Sequence, residues 1–268
     1  MRKPRIISVV NQKGGVSKTT TTANLGAGLA LRGFKVLLID LDSQCNLTQS
    51  LVGDISEGQR EIAHCILEET GLSGVIVPTR TQGLYLAPAG EEMSGVDLDL
   101  VGVTARENVL KRCLAKTDLS SFDFVLIDTA PYISLVTVNA LAASSHYIIP
   151  TTAEYLPFKG IERLQANVSR VKEVLNPELS LLGVLVTQYD TRKAITGQVE
   201  EALKQVLGKD LFATRIRINT KFSSCPIEQQ TIYQFEQQDG KGSEDYLSLT
   251  TEVSERLGLV NRGEVVNG

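Results

Sequence analysis

The chain has 268 residues, of which 42% are hydrophobic, and a formal net charge of −4. That length can fill one large α/β core, so we expect one domain over residues 1–260 and a frayed tail at 261–268. The negative charge excludes a surface that is basic throughout and restricts any nucleic-acid contact to a local patch.

Short apolar runs alternate with amphipathic segments along the chain. Val, Ile and Leu fill both alternating positions of these runs, which predicts strands buried on both faces at residues 6–10, 36–41, 84–87, 122–127, 147–150 and 181–187. Helical periodicity predicts helices at residues 23–31, 106–116 and 161–175. This order predicts an α/β fold with an open, doubly wound, mostly parallel sheet flanked by helices on both faces.

The remaining segments are shorter or more polar. Loops are expected at residues 53–58 and 237–243. Ser243 is predicted to cap a last helix whose apolar stripe is Tyr246, Leu249, Val253 and Leu257. The four cysteines have neither paired nor metal-ligand spacing, no apolar leader precedes the first strand, and no run approaches the roughly 18 to 20 apolar residues of a membrane span. We therefore predict a cytoplasmic protein without disulfides.

The loop after the first predicted strand has the composition of a phosphate-binding loop. It reads Lys13-Gly14-Gly15-Val16-Ser17-Lys18-Thr19 and continues with Thr20. Adjacent glycines allow the backbone to approach phosphate closely, Lys18 can neutralise the β and γ phosphates, and the Thr19 hydroxyl can ligate Mg²⁺. The ordinary pattern would place glycines at Gln12 and Ser17, which this chain lacks. Lys13, at the start of the loop, is poorly placed to reach its own phosphates.

This arrangement resembles the deviant Walker A box of the ParA/MinD ATPase superfamily. Residues 40–46, Asp-Leu-Asp-Ser-Gln-Cys-Asn, are similar to the family's Asp-x-Asp-x-Gln-x-Asn segment, and residues 125–131 resemble its Walker B motif. Residues 152–155 and 182–190 are similar to segments of ParA proteins in particular. Because these motifs occur in the correct order, the chain is identified as a member of the ParA family of P-loop NTPases.

The resemblance implies a role for each matching residue. ATP is bound by the loop residues Gly14, Gly15, Val16, Ser17, Lys18, Thr19 and Thr20, and Mg²⁺ is held by Thr19, Asp40 and Asp128. The implied catalytic residues are Lys18, Asp42, which orients the attacking water, and Lys13, which reaches into the partner subunit's site. Asn219 matches a position near the adenine, although an ordinary turn asparagine is an equally good interpretation.

The sequence also departs from the family pattern. Ser17 and Cys45 stand where relatives have glycine, Ser43 replaces a proline, and Ala130 replaces the first of two prolines. Ser17 matters most, because serine fits an α-like backbone but is strained at positive φ, where nucleotide binding would weaken. Our hypothesis is that the serine is tolerated.

Positive charge is concentrated in residues 189–222, which contain seven basic and four acidic residues in a chain that is negative overall. The resemblance implies that Arg192 and Lys221 bind DNA without sequence preference, and we add Lys193 and Arg217 to this predicted surface. The alternative is a solvated helix face, since the excess of positive charge is modest.

Together these features predict a nucleotide switch. ATP binding would close a homodimer that binds DNA non-specifically on the nucleoid, and a ParB-like or other adaptor would stimulate hydrolysis to segregate or position a plasmid, a chromosome origin or a protein compartment.

A MinD-like membrane ATPase is disfavoured, because residues 258–268 contain a single basic residue, Arg262, and no large amphipathic face. An iron–sulfur reductase would need cysteines downstream of Asp128, and residues 131–191 contain none. A nucleotide-insensitive DNA-binding scaffold stays open if Ser17 prevents ATP binding.

Overall fold

The computed structural model describes residues 3–56, 58–153, 157–236 and 240–259. Within these residues one sheet contains the strands β1 (Arg5–Val9), β2 (Val36–Leu41), β3 (Val77–Pro78), β4 (Leu84–Ala87), β5 (Phe124–Thr129), β6 (His146–Thr152), β7 (Ser180–Tyr189) and β8 (Leu211–Arg217). The α-helices are α1 (Lys18–Leu31), α2 (Asn46–Leu51), α3 (Ile62–Leu67), α4 (Val96–Asp99), α5 (Val109–Ala115), α6 (Leu135–Ala143), α7 (Pro157–Val174), α8 (Ala194–Leu207), α9 (Lys221–Ser224), α10 (Ile232–Phe235) and α11 (Lys241–Arg256).

The strand order explains where a ligand can bind. The order is β3-β4-β2-β5-β1-β6-β7-β8, and all neighbouring pairs are parallel except β3 with β4. β1 lies inside the sheet between β5 and β6, so the chain winds outward from it in both directions. Both faces are covered: Leu38 of β2 packs in the buried cluster that includes α1 and α11, whereas Leu37 packs in the cluster that includes α3 and α5. The predicted open, doubly wound fold is confirmed.

The six predicted strands are present, with ends that differ by at most two residues. β3 and β8 were not predicted. β3 has two residues, one of them a proline, and gives no recognisable pattern. β8 is the edge strand, and it reads Leu-Phe-Ala-Thr-Arg-Ile-Arg with Ala213 exposed, so a rule based on strands buried on both faces misses it.

The helices differ from prediction mainly at their starts. α1 begins at Lys18 rather than residue 23, because its first turns contain the threonines Thr21 and Thr22, which are buried but are not marked by apolar periodicity. The predicted cap at Ser243 is wrong: α11 begins at Lys241, with Gly240 at the N-cap, so Ser243 lies inside its first turn. The apolar stripe predicted for this helix is buried as expected.

Several expectations fall outside the described residues, namely the tail at 261–268, residues 237–239 of the predicted loop, and residues 154–155 of one resembling segment. The interpretation as one domain stays a prediction. Among the helices that the structure describes, none combines the length and the hydropathy required to span a bilayer.

Candidate active site

A cleft of about 730 Å³ lies at the carboxyl end of the sheet. The residues that follow β1, β2 and β5 line one side of it, as expected for the edge at which parallel strands deliver their loops. Gln188, near the end of β7, and residues at and after the end of β8 also line it. The cleft therefore collects candidate residues that are far apart in the sequence, including Lys18, Thr19, Asp42, Gln188, Arg217 and Asn219.

The phosphate loop joins β1 to the N-terminus of α1. Gly15 has φ +72°, and a Cβ added at Gly14 or Gly15 would meet no atom within 4 Å, so the backbone here faces open space in which a phosphate fits. The 14-residue helix α1 directs its first backbone N–H groups and the positive end of its dipole toward the same space. Burial lowers the pKa of Lys18, although the charges of Asp128 and Asp42 act in the opposite direction.

Side-chain hydrogen bonds connect the loop to neighbouring strands. The Thr187 hydroxyl donates to the Val16 carbonyl oxygen at 3.1 Å. Asn11 donates to the Pro150 carbonyl oxygen at 2.7 Å and accepts from the Lys13 backbone N–H at 3.0 Å. The loop is therefore held in its conformation by β6 and β7 as well as by its own glycines.

Ser17 has φ +65° and ψ 34°, which is a left-handed conformation. The α-like backbone that would accommodate serine without strain is therefore not observed, and we correct that part of the tolerance hypothesis. A non-glycine residue here costs about 1 to 2 kcal/mol. The Gln188 side chain offsets part of this cost, because its Nε2 lies 3.3 Å from Ser17 Oγ and also donates to the Gly15 carbonyl oxygen. Sequence reasoning missed Gln188, which no loop motif contains.

Two buried carboxylates and one hydroxyl lie together beside the loop. Asp40 of β2 and Asp128 of β5 are register partners on adjacent parallel strands, and both are fully buried. The Thr19 hydroxyl donates to Asp128 at 2.6 Å, while Asp40 accepts from the backbone N–H and the hydroxyl of Thr48 at 2.9 and 2.7 Å. Burial raises the pKa of Asp40 to about 6 and, together with the charge of Asp40, raises the pKa of Asp128 to about 8.

This oxygen set fits Mg²⁺. Mg²⁺ prefers carboxylate and hydroxyl oxygens and completes its coordination with water and substrate phosphate rather than with an all-protein cage. Within the described ranges no group of three or more His, Cys, Asp or Glu side chains is arranged to hold a metal. Thr48, which orients Asp40, was not identified from the sequence.

The other two predicted catalytic residues are Asp42, directly after β2, and Lys13, at the start of the loop. Asp42 is 5% exposed, lines the cleft, and accepts a hydrogen bond from the Gln44 backbone N–H at 3.0 Å. The Lys13 Nζ lies 3.3 Å from the Thr152 hydroxyl at the end of β6, whereas the Lys18 Nζ lies 3.4 Å from the Lys13 carbonyl oxygen. The two lysine side chains therefore extend toward different partners.

Asn219 lies two residues after the end of β8. Its Oδ1 accepts from the Lys221 backbone N–H at 3.0 Å, a bond typical of a turn asparagine, and its Nδ2 donates to Glu236 at 2.8 Å. The same side chain lines the cleft, so both interpretations of Asn219 describe part of its environment.

The predicted DNA-binding residues lie along the β7–β8 edge of the sheet. Lys193 precedes α8 and is exposed. The other three pair with carboxylates: Arg192 with Asp190 at 2.9 Å, Arg217 with Glu244 and Asp245 at 2.6 Å each, and Lys221 with Glu236 at 3.4 Å. Arg217 also lines the cleft, and its side chain is 29% exposed.

Several known proteins are similar to this chain in sequence and in fold. Residues 4–181 match the family described as AAA domain. The chain is 35% identical over 250 residues to the sporulation initiation inhibitor protein Soj of Bacillus subtilis, covering 93% of this chain and 98% of that protein. It is 38% identical over 256 residues to the chromosome-partitioning ATPase Soj of Thermus thermophilus, covering 95% and 97%. The structure of cobyrinic acid a,c-diamide synthase from Mycobacterium smegmatis with bound ADP and magnesium superposes with a TM-score of 0.77 at 33% identity, over 92% of this chain and 93% of that one.

Proposed function

This chain belongs to the Soj/ParA family of partition ATPases, and we propose that it hydrolyses ATP to control a dimer that binds DNA without sequence preference. ATP and Mg²⁺ bind each protomer, two protomers close face to face over the nucleotides, and the closed dimer binds DNA. Hydrolysis, accelerated by a ParB-like or other adaptor, reopens the dimer and moves a cargo over the nucleoid. The observation that carries this proposal is a phosphate loop whose Lys18 and Thr19 line the cleft, with the Thr19 hydroxyl bonded to Asp128, the buried register partner of Asp40.

Nucleotide binding follows from the prepared loop. The backbone N–H groups of residues 14–20 donate to the phosphates, and the positive end of the α1 dipole attracts them. Lys18 neutralises their charge. Thr19, Asp40 and Asp128 would hold Mg²⁺, which supplies further neutralisation of phosphate charge when bound. The mycobacterial protein, described with bound ADP and magnesium, supports the same use of the cleft here.

Hydrolysis requires a positioned water molecule more than a covalent intermediate. Asp42 orients the water so that its oxygen attacks the γ-phosphorus, and the bond to the ADP oxygen breaks. Lys18 stays on the phosphates throughout. Lys13 acts in the opposite protomer: its contact with Thr152 holds it at the rim of its own loop, from which it can extend across a dimer interface.

The DNA surface is proposed on Arg192, Lys193, Arg217 and Lys221, and dimerisation doubles it. Arg192 and Lys221 each pair with a carboxylate, so each must release that carboxylate to bind a DNA phosphate. The slow basal rate that we expect reflects a site that is completed only when a second protomer and an adaptor dock.

The direct experiment compares wild type with Lys13→Ala. We expect the variant to bind ATP as wild type does but to lose the closed dimer, ATP-dependent DNA retention and hydrolysis, because Lys13 contributes only across the interface. Nucleotide titration, sedimentation and a phosphate-release assay with DNA measure these properties, and Lys111→Ala, an exposed lysine on α5, serves as the matched control. Normal dimerisation and turnover in Lys13→Ala would remove Lys13 from the mechanism.

A second candidate function is a nucleotide-insensitive DNA-binding scaffold. The observation that favours it is the left-handed conformation of Ser17, where relatives have glycine. DNA binding that is equal with and without ATP, in a protein that binds no ATP, would select this candidate.

A further inference from the structure

The Glu236 carboxylate contacts the side chain of Asn219, which lines the cleft. Its side chain is 1% exposed. One oxygen accepts from Asn219 Nδ2 at 2.8 Å and lies 3.4 Å from the Lys221 Nζ, and the other accepts from the Ser243 backbone N–H at 2.9 Å. Burial alone would raise the pKa of Glu236, but these hydrogen bonds and the charge of Lys221 bring the pKa below its ordinary value. The carboxylate is therefore ionised at neutral pH.

These contacts fix the orientation of the Asn219 amide. A carboxylate can only accept a hydrogen bond and a backbone N–H can only donate one. The amide nitrogen of Asn219 must therefore face Glu236, and its oxygen must face the backbone N–H of Lys221. Rotating the amide by 180° would set two acceptors against each other on one side and two donors on the other.

The fixed amide keeps one donor and one acceptor for a ligand. An asparagine side chain has two N–H groups and two oxygen lone pairs, and the contacts found among the described residues use one of each. The remaining pair, on a side chain that lines the cleft, matches the N7 acceptor and the N6 amino donor of adenine. Guanine presents two acceptors, N7 and O6, at the same edge and leaves the amide oxygen opposite an oxygen.

We propose that Glu236 is a positioning residue that makes the cleft select adenine over guanine nucleotides by locking the Asn219 amide. This inference rests on the proposed nucleotide function and deepens it. Glutamine cannot replace Glu236 in this role, because both carboxylate oxygens accept hydrogen bonds and a glutamine amide has one oxygen. Glu236→Gln must place its NH₂ group against either the Ser243 N–H or the Asn219 NH₂, and the second arrangement releases the Asn219 amide to rotate.

The test is the ratio of ATP affinity to GTP affinity in the full-length protein with Mg²⁺. We expect wild type to prefer ATP and Glu236→Gln to lose roughly tenfold of that preference, the scale expected when a hydrogen-bonding site loses its fixed polarity. Glu228→Gln, which removes an exposed carboxylate from the same part of the chain, should keep the wild-type ratio. Equal weakening of ATP and GTP would assign Glu236 a purely structural role and overturn the inference.

A second variant keeps the test decisive if Glu236→Gln folds poorly. Asn219→Ala removes the amide itself and should reduce the ATP preference to a similar extent, and adding Glu236→Gln to it should change the ratio no further, because the carboxylate acts through the amide. An unchanged preference in Asn219→Ala would also overturn the inference. Wild type that binds neither nucleotide contradicts the proposed function, whereas wild type that binds ATP and GTP equally contradicts this inference alone.

Discussion

The phosphate-loop region and the β7–β8 edge both concentrate charge, but they arrange it in different ways. Beside the loop, the Asp40 and Asp128 carboxylates are fully buried on adjacent strands, and Lys18 is 7% exposed. At the edge, the charged groups are paired: of the seven basic residues in 189–222, carboxylates contact Arg192, Lys204, Arg215, Arg217 and Lys221. One region buries like charges together, and the other neutralises its charges on the surface.

The difference shows which region is prepared for a ligand. Two adjacent buried carboxylates destabilise the fold unless a proton or a cation neutralises them, so the loop region gains most when Mg²⁺ and nucleotide arrive. At the edge, most cations already pair with a carboxylate. Binding a DNA phosphate there gains only the difference in free energy between the new ion pair and the one that it replaces. We therefore expect tight, specific binding at the loop and weak, salt-sensitive binding at the edge.

The largest expected effect comes from removing one of the buried carboxylates. The pKa of Asp128 is raised to about 8, so the folded protein keeps a proton that the unfolded chain, with a pKa near 3.8, has lost. The free energy of unfolding of the metal-free protein should therefore fall as pH rises from about 6.5 to 8, by up to about 1.4 kcal/mol per pH unit. Asp128→Asn should abolish this fall, as measured by urea unfolding in EDTA.

The matched control for this variant is Asp190→Asn at the β7–β8 edge. The hydrogen bonds and charge of Arg192 lower the pKa of Asp190 to about 2, so Asp190 does not titrate in this range and its replacement should leave the slope unchanged. A slope that persists in Asp128→Asn would show that the buried pair is not the source of the pH dependence.

A smaller effect is expected from removing two paired cations at the edge. Arg192→Ala combined with Lys221→Ala should weaken DNA binding about tenfold near physiological salt and reduce the slope of log affinity against log salt by about 2, because two phosphate contacts are lost. Fluorescence anisotropy with a labelled duplex, over a series of salt concentrations with ATP present, measures both quantities.

Lys209→Ala provides the control within the same basic segment. Lys209 is exposed but lies just before β8, at the opposite end of the sheet from residues that follow β7. This variant should bind DNA as wild type does. Equal losses in Lys209→Ala and in the double variant would mean that the whole segment attracts DNA through its net charge, without a defined surface.

The contrast between the two regions also explains what the sequence could predict. Thr19, Asp40 and Asp128 lie close together, as their motifs predict, because each motif stands at or just after the carboxyl end of a buried parallel strand. The contacts of Gln188 with Gly15 span 173 residues, and no local pattern reports them. A count over residues 189–222 gave an excess of three positive charges, but Glu236, Glu244 and Asp245 lie outside that window and cancel it in space.

The smallest expected effect concerns Ser17, which belongs to the phosphate loop and contacts Gln188 of β7. Ser17→Gly relieves the left-handed strain, but glycine adds freedom to the unfolded chain and loses the Gln188 contact, so we expect a net stabilisation of only about 0.5 kcal/mol by thermal or urea unfolding. Gln188 holds Ser17 in this conformation through contacts with Gly15 and Ser17, so we expect the serine to cost little in ATP binding. ATP affinity should therefore stay within about twofold of wild type.

Gln188→Ala sharpens this prediction. If Gln188 holds the loop at Ser17, its removal should weaken ATP binding more in wild type than in Ser17→Gly, because glycine adopts positive φ without a tether. ATP binding that is undetectable in wild type and is restored by Ser17→Gly would reverse this conclusion. The serine would then prevent the loop from holding phosphate, and the chain would act as the DNA-binding scaffold.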